Sequence, residues 1–454
     1  MDDGLSELEV LYSIDGEYIT DNTWDVAERV VNSSLLPKLD SGFDLPPQRK
    51  DFANHIPVVT RNLKALKDFM RTLKSSSNYG TKSAKLKSNF AVSLLTLCGE
   101  HISENIWTNQ ETNTNSHEII SLLCQIFVCD SIGDLLVGEK CYSDPEVPRL
   151  YKPVLTALRP KLLKDTWKHF PGAVACYYWL LFQVHRKYLG DYLGMIVPTA
   201  LIMTDDFIPE NAVTGIKCIA YIAEHSTKAD LYCHAEVMYS AVKQSLVHKN
   251  PQVVKIAVPC LVNLLDKIER NYLKDECITE WCKYDETFEN ILEHLELWQK
   301  TDIREAYLEN LPLFLENMPL SLVNWSSRLL ELFSNYMEMG GHSSPIFLKY
   351  TVLSLKVYLQ KVWPRIQHHC NRLLRMLFRF LIDVTDILHS PDDTKLSVCN
   401  VAIYNEALKE AEECLFIIGY CAPEQVKTTC SILLEKDLFS EDFHKVIQKI
   451  VTSL

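Results

Sequence analysis

Four short groups in this 454-residue chain gather side chains that could do chemistry. His368-His369-Cys370 sets three metal-ligating residues in a row. The run lies in a helical pattern, where neighbours point about 100° apart and cannot close on one ion. Cys124/Cys129 and Cys277/Cys282 form two looser cysteine pairs. Zinc sites draw on tighter pairs, with a second pair to complete the tetrahedron. Asp205-Asp206 precedes a helix expected to open at Pro209. Paired carboxylates can trade protons, but they also suit a turn and a helix N-terminus. No phosphate loop, GxGxxG, GxSxG or HExxH accompanies them, so neither a catalytic residue nor a cofactor or metal site is expected.

Charge gives a stronger signal than any motif. Between Met339 and Ile382 there is no Asp or Glu, while Lys349, Lys356, Lys361, Arg365, Arg372, Arg375 and Arg379 all fall there. The four arginines recur at i, i+7, i+10 and i+14, within about 80° of one helix face. Ile366, Leu373, Leu377, Leu381 and Val384 form the opposite, core-facing stripe. Pro364 suits the first helical position, and Trp363 before it is expected to pack as a staple. Two readings of the basic ridge stay open. It docks an acidic partner surface, or it pairs internally with Glu406, Glu410 and Glu413 on the next long helix.

The elements that carry these residues are helices. Met238, Ala241, Val242 and Leu246 share one face. Asn250-Pro251 then supplies an N-cap and a first-turn proline. Val253, Ala257, Cys260, Leu261, Leu264, Leu265 and Ile268 form the stripe of a second helix. Neither helix can bury its stripe alone, so each needs its partner and the next pair. Similar helices are predicted at about 209–224, 284–298, 302–317, 320–338, 345–362, 364–388, 400–420, 424–434 and 440–452. Pro198, Pro259 and Pro312 fall inside such patterns and should kink them. The spacing predicts an all-α fold, a HEAT-like α-solenoid of stacked antiparallel helix pairs with repeats of about 40–47 residues. We expect it to run continuously over 119–454, behind an irregular helical region over 1–118 with loops at Lys74–Ser88 and Trp107–His117.

Composition narrows the partners. The formal net charge is −13, which argues against a nucleic-acid binder. The uncharged runs at 172–184 and 192–204 are shorter than the ~20 residues of a membrane helix. Fifteen cysteines without a CxxC pair point to a reducing compartment and no disulfide frame, and the acidic start reads as no secretory signal.

Five segments together carry a resemblance: TDDFIPENAVTGIKCIAYI (204–222), HAEVMYSAVKQSL (234–246), REAYLENLPLFLENM (304–318), LKVYLQKVWPRI (355–366) and EALKEAEECLFIIGYC (406–421). They resemble the Tti-two family, subunits of the Triple-T (TTT) complex, over roughly 165–435. The resemblance implies a non-catalytic α-solenoid. It implies as partners a Tti-one-like HEAT-repeat subunit, bound directly, and a Tel-two subunit. It also implies the Hsp90 co-chaperone machinery and, as clients, the phosphatidylinositol-3-kinase-related kinases of TOR signalling and DNA-damage checkpoints. Asp205 and Asp206 match the family's Asp-Asp element, and Trp363, Pro364 and Arg365 its Trp-Pro-Arg element. Together with Arg372, Arg375 and Arg379 these are the candidate partner-binding residues. Cytoplasm and nucleus are the expected locations. The competing reading is a transport- or adaptor-type solenoid carrying peptide or protein cargo. Its groove would need regularly spaced Trp/Asn or acidic residues, whereas the eight tryptophans show no fixed repeat.

Overall fold

The computed structural model describes residues 8–11, 21–40, 46–75, 89–138, 149–269, 281–297, 300–338, 344–389, 398–435 and 441–453. Those residues are helical or irregular and contain no strand. They divide into two compact units, Met1–Asp206 with Thr214–His234, and Phe207–Val213 with Ala235–Leu454.

The longer helices of the first unit are α1 (Asp21–Ser34), α2 (His55–Ser75), α3 (Asn89–His101), α4 (Gln110–Ile126), α5 (Ile132–Val137), α6 (Tyr151–Leu158), α7 (Pro171–Leu181) and α8 (Leu193–Thr204); α9 (Pro209–His225) straddles the division. α2 packs on α4, and α3 on α7. Trp24 meets Phe69 and Phe90 edge-on at 5.5 and 5.4 Å, the geometry that the ring quadrupole favours.

The polar stretch expected as a loop at 107–117 instead supplies the opening turns of α4. Asn109 caps the helix: its side chain accepts from the Thr112 N–H at 2.8 Å, and its own N–H donates to Thr112 Oγ1 at 3.0 Å. Lys67 Nζ donates to Asn115 Oδ1 at 2.6 Å, tying that polar face to α2. A polar sequence can therefore form a packed helix when a cap and cross-helix bonds such as these anchor it. Most of the other loop, 76–88, lies outside the described residues.

The second unit is a run of helix pairs. Its helices are α10 (Ala235–Ser245), α11 (Pro251–Ile268), α12 (Lys283–Leu297), α13 (Thr301–Asn317), α14 (Ser326–Glu338), α15 (Pro345–Lys361), α16 (Ile366–His389), α17 (Val398–Cys421), α18 (Pro423–Leu434) and α19 (Glu441–Ser453). α11, α13, α15 and α17 stack in sequence as one layer, while α10, α12, α14 and α16 are the first members of the successive pairs. This is the HEAT-like arrangement expected, with each pair burying its apolar stripe against the next. Asn250 caps α11 as anticipated, accepting from the Gln252 N–H at 2.8 Å. α8, α11 and α13 run on through Pro198, Pro259 and Pro312.

Polar rungs lock the register of each step. Tyr239 and Thr287 share a buried hydroxyl bond of 2.9 Å between α10 and α12. Trp325 Nε1 donates to Asp285 at 2.7 Å, and Tyr336 donates to the Leu295 carbonyl at 2.5 Å. Arg328 grips Glu296 with two bonds of 2.8 Å, the forked geometry that makes arginine–carboxylate pairs specific.

Candidate protein-docking surface

The basic stretch splits into two halves with different fates. Its lysines are used inside the helix stack. Lys349 Nζ lies 2.5 Å from Glu406, and Lys356 bridges Glu410 and Glu413 between α15 and α17. The hydrogen bond that Lys349 donates to Glu406 is the main influence raising the Lys349 pKa. Burial works against the charge of Lys356, but its two carboxylates outweigh that cost and leave the pKa raised. Lys361 Nζ donates to the Met318 carbonyl at 2.6 Å, and burial pulls its pKa down. The acidic stripe considered as a partner for the arginines is thus taken by the lysines.

The arginines point outward. α16 buries Ile366, Leu373, Leu377, Leu381 and Val384, each at 2% exposure or less, as the stripe predicted. Arg365, Arg372, Arg375 and Arg379 are exposed on the other face. Arg379 sits 3.5 Å from Glu338 and 4.0 Å from Asp383. Among the described residues, Arg365, Arg372 and Arg375 form no ion pair. Burial lowers the pKa of the neighbouring His369, and the positive charges of His368, Arg372 and Arg365 lower it further.

Trp363 corrects an expectation. It was predicted to pack at the start of α16, yet it is 59% exposed. Trp363–Arg365 form a 3₁₀ turn, and the flanking Val362 and Ile366, 3% and 2% exposed, fill the core instead. Trp363 and Pro364 are left on the surface. With Phe416, Ile417, Tyr420 and Cys421, Trp363 lines a groove of about 600 Å³, in which Tyr420 is 87% exposed. Gln367 donates to the Cys421 carbonyl at 3.0 Å and fixes the end of α17 beside this turn. Phe416, Ile417 and Tyr420 escaped the sequence reading. Their signal was an apolar arc at the end of α17 wider than its Ala407–Ala411–Cys414–Leu415–Ile418 core stripe.

The Asp-Asp element stands in the other unit. Asp205 closes α8 and is exposed. Asp206 is buried, with Lys168 Nζ at 2.8 Å and side-chain exposures of 10% for Lys168 and 3% for Asp206. Its carboxylate therefore serves the fold. The two aspartates do not face one site, and no proton-transfer pair forms. His368 is exposed while Cys370 is 1% exposed, so that run diverges as helix geometry requires. Among the described residues, no three His, Cys, Asp or Glu side chains gather to hold a metal ion. None of the helices among them is long and apolar enough to cross a membrane.

The chain is similar to the human protein named TELO2-interacting protein 2, at 29% identity over 331 residues, which make up 72% of this chain and 63% of that relative. The rat and mouse proteins of the same name match at 27% over 331 and 333 residues, 72% of this chain and 62% of theirs. The chain thus spans less than two thirds of the length of these curated relatives. No family model matches. Among solved structures, importin beta in an ammonium sulfate condition aligns with a TM-score of 0.47 at 12% identity, covering 94% of this chain and 62% of that one. A Kap95:Nup1 complex aligns with a TM-score of 0.48 at 11% identity, covering 99% and 60%.

Proposed function

We propose, from the premise that this chain is related to the Tti-two family of TELO2-interacting proteins, that it is a non-catalytic scaffold subunit. In this reading it joins a Tel-two subunit and a Tti-one-like HEAT-repeat subunit in a TTT-type co-chaperone assembly. That assembly works with the Hsp90 machinery, in cytoplasm and nucleus, to support the assembly and stability of phosphatidylinositol-3-kinase-related kinases. One structural observation supports a docking role above the rest. An exposed tryptophan lines an apolar groove near Arg365, Arg372 and Arg375, which form no ion pair among the described residues. Tryptophan and arginine are the side chains most enriched where protein interfaces concentrate their energy. Trp363, Pro364, Arg365, Arg372, Arg375 and Arg379 form the contact surface in this account. Asp205 is the exposed member of the second element, next to the buried Asp206.

The test is affinity purification of the tagged chain from its own cells, with quantitative mass spectrometry. The expected result is recovery of two large helical subunits in near-equal amounts, with smaller quantities of giant kinases and chaperones. Recovery of transport receptors or vesicle coats in their place would overturn the reading in favour of a cargo-carrying solenoid.

A further inference from the structure

The arginine row of α16 is the crest between two grooves. On one side, Ser334, Met337 and Glu338 of α14 face Arg372, Arg375, Met376 and Arg379 across a cleft of about 230 Å³. On the other, α16 and α18 enclose a groove of about 420 Å³. Leu374, Phe378, Ile382 and Leu433 supply its apolar lining, and Arg375 and Arg379 its charged rim. Leu374 and Phe378 are 2% and 5% exposed and make a firm floor, while Ile382 and Leu433 are half-buried. Ile432, one residue along α18, is 52% exposed.

The direction of this groove limits what fits it. Its lining residues on α16 recur at 371, 374, 375, 378, 379 and 382, so it runs parallel to the helix axis. At 1.5 Å per residue, that span is roughly 16 Å, or three turns. A groove whose α16 wall has that length, apolar below and charged along one edge, has the form that receives an amphipathic helix. Arg372, Arg375 and Arg379 lie at i, i+3 and i+7, the spacing at which carboxylates recur along one face of a facing helix. The sign of the partner follows from charge. The chain carries −13 overall and has no acidic residue between Met339 and Ile382. Of the lysines of that stretch, Lys349 and Lys356 are already held by Glu406, Glu410 and Glu413, and Lys361 by the Met318 carbonyl.

We propose that the groove between α16 and α18 takes an acidic amphipathic helix of a partner protein. Its leucine- or phenylalanine-type side chains lie on Leu374, Phe378, Ile382 and Leu433, and its carboxylates lie on Arg372, Arg375 and Arg379. The inference rests on the partner-binding reading above and adds the chemistry of the bound segment. A nucleic acid would meet the arginines but leave the apolar floor unused. A membrane surface calls for a broader basic patch than one helix row.

The experiment uses the purified full chain and a fluorescein-labelled designed peptide of about twenty residues, with leucines at helical spacing and glutamates on the flanking face. Fluorescence anisotropy compares it with a scrambled peptide, a lysine-for-glutamate peptide, a single-stranded oligothymidylate and phosphatidylserine vesicles. The acidic amphipathic peptide should bind at least tenfold tighter than the scrambled and lysine peptides. Added salt should weaken it, and Arg372→Glu with Arg375→Glu should cost tenfold or more. The corresponding Arg→Lys pair should retain most of the binding, which separates lost charge from lost structure. Equal binding of the scrambled peptide, an unaffected Glu double variant, or tighter binding of the oligonucleotide or vesicles would each overturn the proposal. The designed probe makes this outcome independent of which subunits co-purify, so a failed groove and a failed family assignment give different results.

Discussion

The Lys168–Asp206 region of the first unit and the α16 region of the second use charge in opposite ways. In the first, ionisable groups are turned inward. Glu100 and His101 are 1% and 0% exposed, and Lys168 meets Asp206 in the interior. In the second, carboxylates and lysines form rungs along the flank of the helix stack, while α16 presents arginines to the outside. Buried charge demands a partner and fixes one structure; exposed charge contributes little to stability and is free to recognise something else. Substitutions at Lys168–Asp206 should therefore damage folding, and those at the α16 arginines should damage binding.

The largest effect is expected at Lys168–Asp206. Asp206→Ala removes the carboxylate 2.8 Å from a buried ammonium, and the loss should be about 3–5 kcal/mol in urea unfolding followed by circular dichroism. A loss below 1 kcal/mol would erase the contrast between the units.

Next comes pH. Burial, reinforced by His55, pulls the His101 pKa down to about 3. The stability linked to this group is present above its unfolded pKa of about 6.5 and is lost as pH falls toward 3. Glu100 has the opposite sign. Burial raises its pKa to about 7, despite the bond it accepts from the Leu36 N–H at 2.8 Å. Its contribution is complete below about pH 4.5 and is lost as pH rises through 7. The two effects offset each other between pH 5 and 7, so single variants are needed to separate them. His101→Phe should gain about 2 kcal/mol on wild type between pH 7 and pH 5. Glu100→Gln should gain on wild type as pH rises from 4.5 through 7. Parallel pH profiles for all three proteins would contradict both assignments.

The smallest stability effects belong to the second unit. Lys356→Ala, which breaks the rung to Glu410 and Glu413, should cost about 1 kcal/mol or less. Arg372→Glu with Arg375→Glu should change unfolding free energy by less than about 0.5 kcal/mol. A larger loss for the arginine pair than for Lys356 would reverse the division of labour within the basic stretch.

Much of the second unit was legible in the sequence, because its helices carry strong 3.6-residue periodicity and clear starts such as Asn250-Pro251. The outward face of α16 could be read from the opposed Ile366–Val384 core stripe. The destination of Glu406, Glu410 and Glu413 could not. They pair with lysines of α15, a choice set by which helices stack in three dimensions. The exposure of Trp363 was hidden for a related reason. Val362 and Ile366 are equally apolar, and only the 3₁₀ turn decides which residue faces the core. In the first unit, the buried polar face of α4 defeated a reading that equated Asn and Thr with loops.

The most direct measurement compares wild type with a variant combining Trp363→Ala, Arg372→Glu and Arg375→Glu, each tagged and purified from its own cells. Partner recovery and thermal unfolding are followed in parallel. The account predicts an unfolding temperature within about 2 °C of wild type, together with at least a tenfold loss of the co-purifying helical subunits. Undiminished recovery, or a variant that unfolds or aggregates, would contradict it and return these residues to the architecture of the fold.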